Sequence, residues 1–105
     1  MPSLVDRIRA ARENRVEAGG FTFTVRRPTD LEAARLTGAS TADLLRYVIG
    51  WQGVRELDLV PGGDAAEVAF SPEVAQEWLA DRPDLWGPLT EAVVQAYQRH
   101  TASLE

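Results

Sequence analysis

The sequence predicts an α+β domain, mainly α-helical, with four to five short helices packed around one or two small β-hairpins. Three observations carry that expectation. Strict alternation in "FTFTV" at 21–25 follows a Gly-Gly pair, a hairpin signal because glycines supply the positive φ of a two-residue turn. Helix-start signatures recur at "TDLE" (29–32), "STAD" (40–43) and "SPE" (71–73). Apolar residues then repeat at helical spacing from Leu89 to Ala96. With 105 residues, 45% of them hydrophobic, and no repeat or linker, residues 1–105 are expected to form a single domain around one core.

Residues 1–14 read as an N-terminal basic amphipathic helix, with Leu4, Ile8 and Ala11 on one stripe, Val5 beside it, and Arg7, Arg9 and Arg12 elsewhere. Residues 15–27 read as a β-hairpin turning at Gly19-Gly20. Phe21, Phe23 and Val25 face one way, Thr22, Thr24 and Arg26 the other, and Pro28 closes the second strand. Two helices are expected over 29–50. Thr29 and Glu32 form a capping box for the first, which runs to about Leu36 and stops at Gly38. Ser40 and Asp43 open the second, which carries Leu44, Leu45, Val48 and Ile49 and ends at Gly50 and Gly53. Trp51 then lies just past a helix end, folded back over the last turn. Residues 54–70 form an extended and turn segment around "PGGD". Over 71–101 two C-terminal helices are expected. Ser71 caps the first, Pro72 occupies its first position, and Val74, Trp78 and Leu79 make its buried stripe to about Asp81. "DRPDLWGP" is a turn between Pro83 and Pro88. The last helix runs from Pro88 to about Thr101 through Leu89, Val93, Ala96 and His100, with Ala92 and Tyr97 alongside.

Composition removes several chemistries. With no Cys and one His there is no disulfide, no Cys–His catalysis and no zinc site of the usual ligand set. A Ser–His–Asp triad would have to use His100, whose position near a helix C-terminus points instead to an offset of the helix dipole. No phosphate-cradling glycine pattern is present, and Asp58 and Asp64 lack the further ligands of a cation site. No catalytic residue, metal ligand or cofactor is therefore assigned. Residues 1–52 hold eight arginines against six acids, and residues 53–105 three against ten. The acidic half repels nucleic acid and favours solubility or basic partners. Arg7, Arg9, Arg12 and Arg15 are candidate phosphate contacts, or else the solvated side of the first helix. No apolar run spans a membrane, and charges stand where a signal peptide needs an apolar stretch, so a cytoplasmic location is expected. The terminal Leu104-Glu105 reads as a cloning remnant and carries no weight. Among the tryptophans, Trp78 reads as core, while Trp51 and Trp86 are each weighed as core or interface anchor. Leu85, Trp86 and Trp51 are the candidate partner-binding residues, followed by the exposed side of the last helix.

Taken in order, "FTFTVRRPTDLEAARL", "GWQGV" and "VAFSPEVAQEWLADRPDLWGPLTEAVVQAY" resemble the phage tail assembly chaperones of long-tailed phages and prophages, over about residues 20 to 98. In that family a short hairpin precedes an "RPTD"-like helix start, a Trp-Gly-Val turn follows, and an "FSPE" helix leads through an "RPDL" break into a final helix. The resemblance implies a non-catalytic, mostly helical protein of the bacterial host cytoplasm. It would bind the tape measure protein, keep it soluble and bring it to the tail tube protein, without remaining in the finished particle. Such chaperones are often encoded with a frameshifted longer form. The family offers no catalytic residue to carry over, and self-association is left open. Residues 1–14 lie outside the likeness. The alternatives are a small nucleic-acid-binding regulator using the arginines of the first segment, and a hydrolase or transferase built on a concave carboxylate cluster.

Overall fold

The computed structural model describes residues 2–36, 38 and 40–103. Leu104 and Glu105 lie outside the described residues. The fold grows from the hairpin. Gly19 and Gly20 take φ of 60° and 84°, joining β1 (Glu13–Ala18) to β2 (Phe21–Arg26) in antiparallel register with Ala18 opposite Phe21 and Val16 opposite Phe23. A side chain at Gly19 would also strike Leu85, since an added Cβ would lie 2.7 Å from its Cδ2. Asn14, Val16 and Ala18 turn inward while Glu13, Arg15 and Glu17 face water.

β3 (Val48–Gln52) completes a three-stranded sheet in the order β1-β2-β3, where a helix was expected through Val48 and Ile49. The second helix of the 29–50 segment, α3 (Thr41–Leu45), is only five residues long. The reason is a bulge. Thr24 pairs with Gly50 but Val25 pairs with Val48, so Ile49 is the extra residue. In a regular strand Val48 and Trp51, three apart, would face opposite sides; the bulge lets both be buried. That same spacing imitates a helical stripe. Trp51 is therefore a strand residue opposite Phe23, not the tail of a helix cap. Gly50 does not end a helix either: it sits in the strand opposite Thr24, where an added Cβ would meet the Thr24 Cβ at 3.4 Å.

The expected helix over 1–14 is also shorter. α1 (Leu4–Ala10) is closed by a Ser3–Asp6 capping box, and the chain enters β1 at Glu13. Ahead of α2 (Asp30–Ala33) the Thr29 hydroxyl accepts from the Glu32 N–H at 3.1 Å, and the Glu32 carboxylate accepts from the Thr29 N–H at 3.0 Å. The regular helix stops at Ala33, before Leu36. In the 54–70 segment the extended pieces shrink to a single Arg55–Glu67 bridge, with the short helix α4 (Glu56–Leu59) between them.

α5 (Pro72–Leu79) begins at its Ser71 cap as expected, but its buried residues are Ala75, Trp78 and Leu79; Val74 is 37% exposed. The "DRPDLWGP" turn is absorbed into α6 (Pro83–Ser103), which starts five residues earlier than expected and carries Pro88 inside it. Pro88 removes only the bond to the Asp84 carbonyl, which sits on an exposed residue of the first turn, and Thr90 Oγ1 donates to the Trp86 carbonyl at 2.7 Å. Leu85, Leu89, Val93 and Ala96 line the buried side of α6. The core joins Leu85, Leu89 and Val93 to Phe23, Val25, Val48, Trp51 and Val54 from the sheet side and to Trp78 and Leu79 of α5. Trp78 is its hub, with ring centroids 5.3 Å from Phe21 and 5.7 Å from Trp51, both edge-on.

Candidate interaction surface

The expected partner-binding residues do not converge on one surface. Leu85 is fully buried against the hairpin turn. Trp51 is 9% exposed, and its indole N–H donates to the Val68 carbonyl at 2.8 Å, tying β3 to the segment ahead of α5. Trp86 is half-buried, and its indole N–H donates at 2.6 Å to the Leu79 carbonyl at the end of α5, which also accepts from the Arg82 N–H at 3.0 Å. All three hold elements together; Leu85 presents no contact area and Trp51 only a small edge. Arg7 and Arg9 lie exposed on α1, Arg12 is half-buried in the following turn, and Arg15 points outward from β1. The four arginines thus belong to three different segments, not to one helix.

A concave apolar surface appears elsewhere. Pro28, Ala33, Leu36 and Leu44 form one wall and Val93, Val94 and Tyr97 the other wall of a cleft of about 390 Å³ between the α2–α3 segment and α6. Val94 is 41% exposed and Leu31, on neighbouring α2, is 70% exposed. Local devices fix the first wall. Arg26 clamps both oxygens of Glu32 at 2.8 and 3.0 Å, and Arg26 also lies 4.5 Å over the Tyr47 ring. The Arg26 guanidinium holds the Glu32 carboxyl down to about 2. Two contacts latch α6 to the start of α2. The Tyr97 hydroxyl donates to Asp30 Oδ1 at 2.9 Å and His100 Nε2 lies 3.2 Å from Asp30 Oδ2. Those bonds, His100 first and Tyr97 second, hold the Asp30 carboxyl below its ordinary value, and the bond to Asp30 pushes the Tyr97 phenol up.

Chemically the cleft offers apolar contact and a polar margin. His100, the one imidazole, faces Asp30 and Tyr97 rather than a hydroxyl nucleophile. Among the described residues no group of three or more His, Asp or Glu is disposed to hold a metal ion, and no helix is long and apolar enough to cross a membrane. The cleft was not expected from the sequence. Its residues come from positions 28–44 and 93–98, and only two apolar positions, Leu36 past the end of α2 and Val94 beside the buried stripe of α6, hinted at it. Compared with protein families, curated proteins and solved structures, the chain finds no significant match in any of the three.

Proposed function

We infer that the chain is a non-catalytic assembly chaperone, which holds the tape measure protein of a long-tailed phage or prophage soluble until it meets the tail tube. The ordered series of motifs from "FTFTVRRPTDLE" to "RPDLWGPLTEAVVQAY" carries this reading. The cleft supports it, because Pro28, Ala33 and Leu36 of one wall come from the first motif as it runs on to Leu36, and Val93, Val94 and Tyr97 of the other come from the last, with Leu44 added from α3. A long helical client displays apolar residues three and four apart, and an open apolar cleft between helices is a surface on which such a stripe is buried. The half-exposed Val94 and Leu44 would meet the client, and Leu31 would extend the contact beyond the cleft.

Co-expression with a tape measure protein encoded in the same gene neighbourhood tests the proposal. The client is expected to stay soluble and to co-purify with the chain. Val94→Glu is expected to lose that complex while leaving the melting temperature within a few degrees, because Val94 is exposed. A tape measure protein that aggregates equally with and without the chain would overturn it.

A further inference from the structure

α1 carries an apolar ridge that the rest of the fold leaves uncovered. Leu4, Val5 and Ile8 are 68%, 54% and 49% exposed, and the helix has no buried residue. At 100° per residue, Arg7 runs along one margin of that ridge and Arg9 along the other. Between the end of α4 and α5 the pattern is inverted. Leu59, Val60, Val74 and Trp78 floor an open groove of about 400 Å³, and Glu73, Glu77 and Asp81, four residues apart, run along it. Among the described residues, ion pairs join Arg26–Glu32, Arg55–Asp58, Arg82–Asp84 and His100–Asp30. Arg7 and Arg9, and Glu73, Glu77 and Asp81, take part in none of these.

Ridge and groove lie at opposite ends of the hairpin. α1 joins β1 at Glu13, where the Arg12 carbonyl accepts from the Arg27 N–H at 2.9 Å. α5 meets the hairpin at its turn end, where Trp78 packs on Phe21. A strand of this length spans about 17–20 Å, so the ridge hangs clear of the groove of its own chain. A basic-edged apolar ridge at one end and an acid-edged apolar groove at the other are complementary between molecules. We propose that α1 of one copy docks in the α5 groove of a second copy, giving head-to-tail self-association. The contact is heterologous, so each docked copy still offers a free ridge or groove and growth continues unless a ring closes. This inference is independent of the client proposed above.

Sedimentation velocity of the full chain at increasing concentration tests it. Wild type is expected to form species larger than a dimer, which dissociate as salt rises from about 0.05 to 0.5 M and screens the charged margins. Ile8→Glu and, separately, Glu77→Arg are each expected to leave a monomer with a native circular-dichroism spectrum. Val74→Arg serves as a second groove variant. Mixing the ridge variant with a groove variant is expected to restore a one-to-one dimer that grows no further, because one intact ridge meets one intact groove. A wild-type monomer at every concentration and salt, self-association that survives both variants, or a mixture that stays monomeric would each overturn the proposal. Binding of wild type to anionic phosphatidylserine vesicles through α1, without self-association, would overturn it as well.

Discussion

Trp51 shows how one side chain serves two neighbours. Its ring fills the space between Phe70, at a centroid distance of 5.0 Å, and Trp78 at 5.7 Å, while its N–H satisfies the Val68 carbonyl. Trp51→Ala is expected to cost about 3–5 kcal/mol, the transfer energy of a buried aromatic plus the cavity left behind. Trp51→Phe keeps much of the ring contact but leaves the carbonyl without this donor, so about 1–3 kcal/mol is expected. Urea denaturation of the two variants checks both values. If alanine cost less than phenylalanine, the ring would not be the packing element described. Trp86 repeats the logic at the surface. Its indole reaches the Leu79 carbonyl because α6 has already begun at Pro83, which brings the ring back over the end of α5.

At the scale of elements, short-range devices govern the connections. The Arg26–Glu32 clamp joins the end of β2 to the cap of α2, and its pH dependence is definite in sign. Glu32 has an ordinary value of 4.5 and is held to about 2 in the folded chain, so the clamp's stability is complete above 4.5 and is lost as pH falls toward 2. The side chains of Arg26 and Glu32 remain 32% and 35% exposed, and solvent screening reduces the contribution to about 1 kcal/mol. Thermal melts at pH 6 and pH 3 are expected to show Glu32→Gln losing less stability on acidification than wild type; an identical loss would remove the clamp as the cause. These caps and the Gly-Gly hairpin were legible in the sequence because each is complete within a few residues. β3 was not, because a bulge opposite Val25 gave its buried residues helical spacing. Nor was the start of α6, since a proline one turn and a half into a helix reads locally as a break. The amphipathic pattern of α1 was visible, but pattern alone does not say whether a partner for the apolar side lies within the same chain. Likewise the cleft between the α2–α3 segment and α6 needs long-range pairing that local spacing does not encode.

Across the whole molecule, stability is unevenly distributed. β2 is the central strand, and Phe23 and Val25 on it are fully buried within a core that also takes side chains from β3, α5 and α6. Opening β2 therefore means dismantling most of the core. α1 stands at the other extreme: seven residues, a capping box of its own, and no buried side chain. An isolated helix of that length is marginal in water, because nucleation costs more than so few bonds return. Amide exchange is therefore expected to separate the two. The α1 amides should exchange through local fraying, with rates insensitive to Trp51→Ala. Those of Phe23 and Val25 should exchange only through global unfolding and accelerate by the full stability loss of that variant. Residue-resolved hydrogen exchange of a monomeric sample, prepared as Ile8→Glu, provides the measurement. Protection of α1 equal to that of β2 in this monomer would mean that the helix is held by its own fold, and the ridge would then not be free to dock on another copy.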